Sequence, residues 1–121
     1  MDPLLRGVDC VTVPVPDLDE GLRFYRDALG HELIWRNDGV GQAGLRLPGG
    51  DTEIVLTVHE PYEPAWLVAS AEQAAAVVSD AGGTVVEEPR DIPVGTVVVV
   101  ADPFGNRLVL LDLSKGPVSG T

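Results

Sequence analysis

Along the chain, apolar residues first alternate with polar ones, then recur every third or fourth position, then alternate again. Val8 to Val15 (VDCVTVPV) is β-branched and alternating, which predicts a strand. Asp17 supplies an N-cap, and Glu20 three residues on completes a capping-box pattern. Leu18, Leu22, Tyr25 and Leu29 recur at helical spacing on one face, and Gly30 stops the helix. Short strands are expected at 31–36, 43–47 and 52–59, separated by Asn37-Asp38-Gly39 and Pro48-Gly49-Gly50.

The order then repeats. Residues 65–69 read as a strand, and Ser70 caps a helix over 71–81, with Gln73 three residues after the cap. Gly82-Gly83 end that helix, and strands follow at 84–88, 96–101 and 107–113, the last two joined by the turn Asp102-Pro103-Phe104-Gly105-Asn106. Asp17 and Ser70, Glu20 and Gln73, Gly30 and Gly83 each stand 53 positions apart, and a fixed offset of this kind marks a duplicated unit. Each unit reads βαβββ. One such unit is marginal alone, so two are expected to pack together or exchange partners. The expected class is α+β, one domain over 1–121, with module one at about 7–60, module two at about 62–114 and a flexible tail at 115–121.

Composition narrows the function classes. A length of 121 residues suits one domain, and 45% hydrophobic with 22% charged residues supports a core. No apolar run approaches the ~20 residues of a bilayer span, and the N-terminus lacks a signal-peptide pattern. A single cysteine, Cys10, rules out an internal disulfide framework and fits a reducing compartment, so a cytoplasmic protein is expected. Nineteen acidic against eight basic side chains give a formal charge of −11 and no basic stripe. Such a surface repels phosphate backbones, and it serves either to attract a cationic ligand or simply to keep the protein in solution. With no bilayer span and no basic stripe, neither nucleic acid nor membrane is expected as a partner.

The segments VTVPVPDLDEGLRFYRDALG at 11–30, AGG at 81–83 and VVADPFGNRLVLLD at 99–112 resemble the vicinal oxygen chelate superfamily, the glyoxalase/bleomycin resistance protein/dioxygenase family. The resemblance runs from Val8 to Lys115 and implies two tandem βαβββ modules forming a cupped mixed sheet, often in a dimer, around a small-molecule cavity. The same fold hosts lyases, dioxygenases, isomerases, thiol transferases and drug-sequestering proteins. Metal-dependent members place two ligands per module in the cup, where the ion acts as a Lewis acid. Carried onto this chain, those positions fall on Cys10, Val55, Glu63 and Val109, with Glu53 two residues from Val55 on the same strand face.

Two valines cannot ligate, and a thiolate mixed with carboxylates is an awkward donor set. The expectation is therefore no metal and no cofactor. The leading reading is a small-molecule binder, a homodimer taking a cationic or planar compound in an apolar cup or dimer groove. Its candidate lining is Cys10, Trp35, Arg46, Glu53, Val55, Thr57, Trp66 and Val109, with Thr12 and Leu111 beside them. Trp66, in PAWLV, is similar to the tryptophan-bearing strand of bleomycin-binding members, and Trp35 and Trp66 either offer flat apolar area to a ligand or pack in the core or a dimer interface. The rival class is an enzyme: a metal-dependent lyase or dioxygenase using Cys10, Glu53 and Glu63, or a metal-free isomerase with His59 or Glu53 as base. A third reading is an interaction domain whose cup is filled by side chains.

Overall fold

Each half of the chain builds a four-stranded mixed sheet with one helix against it, in the computed structural model, which describes residues 2–116. The described residues divide into a unit of 9–64 and a unit of 2–8 with 65–116. No helix among the described residues is long and apolar enough to cross a membrane.

The unit of 9–64 contains β1 (Gly7–Pro14, which begins just before it), α1 (Leu18–Leu22), β2 (Leu33–Asn37), β3 (Gln42–Arg46) and β4 (Glu53–Thr57). Its sheet order is β2-β3-β4-β1, with β1 parallel to β4 and the other pairs antiparallel. Asp17 caps α1 as expected, its carboxylate accepting from Glu20 N at 2.8 Å. Beyond Leu22 the helix relaxes into a π-helical stretch, Arg23–Ala28, closed by Leu29 N donating to Phe24 O. The wider π turn shifts the helix phase. Leu18 and Leu22 are buried against Ala43, Leu45 and Leu56, while Leu29, expected on the same face, is exposed.

The second unit repeats the plan with β5 (Glu63–Leu67), α2 (Ala71–Asp80), β6 (Thr84–Ile92), β7 (Gly95–Ala101) and β8 (Arg107–Asp112). Its order is β6-β7-β8-β5, with β5 parallel to β8. Ser70 caps α2 through its hydroxyl, which accepts from Gln73 N. Ala71, Ala74 and Ala75 pack onto Val98, Val100 and Leu110, joined by Val68 and, from the N-terminal segment, Leu4. β6 runs to Ile92, four residues past its expected end. It is an edge strand, where Pro89 costs no ladder bond and the charges of EEPRD discourage pairing with another chain.

Asp112 ends β8 as a buried carboxylate. It accepts from the backbone N–H groups of Ala71, Thr96 and Ser114 and from the Ser114 hydroxyl, tying the α2 N-terminus to β7 and the chain beyond β8. In the expected tail, Lys115 donates from its backbone to Val94 O and Gly116 donates to Leu113 O; the rest, 117–121, lies outside the described residues.

Candidate functional site

Strand register decides which side chains can meet. In the first unit, Cys10 is opposite Glu53, Thr12 opposite Val55 and Pro14 opposite Thr57. Across β3, Arg46 is opposite Glu53 and Gly44 opposite Val55, and Trp35 in turn pairs with Gly44. Directly opposed residues project from one face. Cys10, Thr12, Trp35, Arg46, Glu53, Val55 and Thr57 therefore share the face turned away from α1, because Val13, Ala43, Leu45, Ile54 and Leu56 take the α1 side. A register shift between Leu33 and Trp35 accommodates Ile34 as an extra residue and sets Trp35 on this face.

Trp35 is the central feature of the face. Its indole lies across Gly44, so closely that a methyl group there would overlap Nε1 and Cε2 of the ring. Nε1 donates to Glu53 Oε1 at 2.9 Å. Only glycine permits this approach, and the bond fixes both side chains in a half-buried position. An aromatic plane and a carboxylate are thus presented together, with Glu53 Oε2 unbonded among the described residues.

Cys10 is buried beside this pair. Burial, then the charges of Asp9 and Glu53, push its thiol up to about 12, and a hydrogen bond with Asp9 adds to the rise. Burial raises the Asp9 carboxyl as well, reinforced by Glu53. Cys10 is therefore a thiol at neutral pH and not an activated nucleophile.

Several expected site residues are placed elsewhere. Thr57 is fully buried, and its hydroxyl accepts from His59 N and Glu60 N, so it shapes the turn after β4 rather than reading a ligand. The Thr12 hydroxyl is likewise used, donating to Pro61 O and Glu63 O. His59 is exposed on that turn, beyond the end of β4. Trp66 is a correction: it pairs with Leu110 and packs into the α2 core, the opposite face of its strand from Ala65. Alternation along β5 made that outcome unavoidable, since residue 66 has the opposite parity to Glu63. Its Nε1 is buried without a partner among the described residues. Val109, half-buried, pairs with Ala65 and faces away from α2.

The ligand set that the fold family uses for a metal does not fit these residues. Two of its four positions are the hydrocarbon of Val55 and Val109, which leaves the soft sulfur of Cys10 and the hard oxygens of Glu63. Glu53, two residues from Val55, is bonded to Trp35. Among the described residues no three histidine, cysteine or carboxylate side chains converge as a metal would require.

Two clefts open on the first unit. One of about 490 Å³ lies beside α1, where the Arg36 guanidinium is held by Asp19 at 3.0 Å and Asp38 at 2.9 Å. The other, of about 170 Å³, lies at the end of β3 and β4 and is lined by Arg46 and Glu53 but not by Cys10.

The fold has solved relatives. Methylmalonyl-CoA epimerase from Mycobacterium tuberculosis superposes with a TM-score of 0.73 at 24% identity, covering 93% of this chain and 91% of that one. A Streptomyces coelicolor methylmalonyl-CoA epimerase variant in complex with 2-nitronate-propionyl-CoA gives 0.68 at 24% identity, over 89% and 97%. A hypothetical protein from Bacillus halodurans C-125 gives 0.67 at 20%, over 87% and 92%. At these identities the likeness establishes the α+β fold of tandem βαβββ modules. No curated protein matches the chain significantly. The sequence matches a family model across residues 7–110, and with its duplicated strand order this places the chain in the Glyoxalase/Bleomycin resistance protein/Dioxygenase superfamily.

Proposed function

We propose that the chain is a small-molecule-binding protein that holds a planar, cationic compound against Trp35, with Glu53 as counter-charge and without a metal ion. The observation that carries this reading is the indole seated on Gly44 and bonded through Nε1 to Glu53. A ring fixed in this way has already lost its rotamer freedom, so ordering it costs little when a ligand arrives. An indole face beside a carboxylate attracts a cation by about 0.5–2 kcal/mol through the ring alone. The formal charge of −11 raises the local concentration of cations around the whole protein. The single, buried cysteine suits a cytoplasmic setting, and a homodimer is the assembly we propose for it.

Titration with the planar cation proflavine, followed by tryptophan fluorescence and thermal shift, tests the site. At 100 times its Kd a ligand adds about 2.7 kcal/mol of stability. Trp35→Ala is expected to abolish both the quenching and the shift; a shift of the same size in that variant removes Trp35 from the site.

The fold of the methylmalonyl-CoA epimerases favours a second reading, a metal-free isomerase acting on a CoA thioester with Glu53 as base. Incubation with methylmalonyl-CoA in D₂O is expected, on that reading, to exchange the α-hydrogen, and Glu53→Gln to stop the exchange. Wild-type protein that exchanges no faster than buffer eliminates it.

A further inference from the structure

Arg46 and Glu53 stand directly opposite one another in the antiparallel β3–β4 register and project from the same face. Opposite charges in such positions ordinarily pair. These two do not. Arg46 turns its Nε toward Glu32 Oε1 at 3.5 Å, while Glu53 gives Oε1 to Trp35 Nε1 at 2.9 Å. Both line the cleft of about 170 Å³, together with Ile34, Leu47, Gly50, Thr52 and a second carboxylate, Asp51. Among the described residues nothing bonds the two terminal nitrogens of Arg46 or Oε2 of Glu53.

We infer that this cleft binds a zwitterionic aminocarboxylate head group, its carboxylate on Arg46 and its ammonium on Glu53. The assignment deepens the proposed function and rests on it, the ligand body lying on Trp35. The guanidinium fork matches a carboxylate in two parallel hydrogen bonds. An ammonium at Glu53 Oε2 pairs with a carboxylate whose other oxygen Trp35 already holds in place. A ligand with only a positive charge gains Glu53 but leaves the terminal nitrogens of Arg46 without a partner. Releasing Glu32 costs little, since both partners of that pair are more than half exposed and the contact is long. The cleft is smaller than the roughly 300–1,000 Å³ of a whole-ligand pocket, which suits a head group rather than an entire molecule.

Three probes sharing one ring separate the charges: the free amino acid phenylalanine, phenethylamine and 3-phenylpropionate. Tryptophan quenching and thermal shift are expected to rank phenylalanine at least 10-fold tighter than either single-charge analogue. Arg46→Gln, a change at an exposed position, is expected to reduce phenylalanine to the level of phenethylamine, with an unaltered circular dichroism spectrum confirming the fold. Equal binding of phenylalanine and phenethylamine by the wild type, or no binding of phenylalanine to protein that binds proflavine, overturns the head-group assignment and leaves the Trp35 site standing. Failure of all three probes and of proflavine overturns both.

Discussion

Replacing Asp112 with alanine is expected to lower stability by roughly 3–5 kcal/mol, because three backbone donors and a hydroxyl lose one shared acceptor. The Ala71 N–H is the costliest to abandon. It is buried at the first turn of α2, where no preceding helical turn supplies a carbonyl for it. A loss of that size is a large share of the roughly 5–15 kcal/mol that holds a small domain folded. Chemical denaturation followed by circular dichroism measures it, and a loss under about 1 kcal/mol would mean that water or the Ser70 cap takes over these donors.

The same carboxylate sets an acid limit. Burial works to raise the Asp112 pKa, but the bonds from Ala71, Ser114 and Thr96 outweigh it and hold the group below its ordinary value. A folded-state pKa below the unfolded one means stability that is fully present above about pH 4, the unfolded value, and is lost as pH falls through the folded value. Asp112→Asn keeps the shape and removes the titration. Its stability is expected to fall less steeply than the wild type's between about pH 5 and pH 2. Parallel curves for the two proteins would assign the acid sensitivity to other groups.

Gly44→Ala is expected to weaken proflavine binding at least 10-fold while leaving the sheet intact. The backbone at Gly44 is not in the left-handed region, so alanine suits the strand itself. The added methyl instead occupies the space of the indole, which must swing off the sheet and release Glu53. Trp35 then emits at longer wavelength, and its ordering becomes a cost of binding. A double-mutant cycle makes the test specific: Gly44→Ala added to Trp35→Ala should do nothing further, since both act on one ring. Additive losses would show that Gly44 serves the ligand independently of Trp35.

Most of the fold was legible because it rests on short-range rules. Alternation in VDCVTVPV fixed β1, the caps Asp17 and Ser70 fixed both helix starts, and the 53-residue offset revealed the duplication. The same period of two put Glu53, Val55 and Thr57 on one side of β4. Parity was equally available for Trp66, and it pointed to the α2 core against the pull of the family likeness. What could not be read was whatever depends on register between strands. The Trp35–Glu53 bond joins residues 18 positions apart and exists because β2, β3 and β4 align with Gly44 between them. Thr57 shows another limit: its hydroxyl served the following turn, a use that strand parity does not reveal. Asp112 left a faint signal, one charge closing the apolar run LVLLD, but its partners come from three separate segments.

The N-terminal residues carry a consequence for how the protein is made. Leu4 packs with the α2 core, and Arg6 N donates to Leu67 O, so this segment belongs with strands translated well after it. On a ribosome those residues must wait until the distal half emerges before they find their seat. A gene cut after Pro64 would therefore not give two self-sufficient halves, because the downstream fragment would lack a piece that only the upstream one carries.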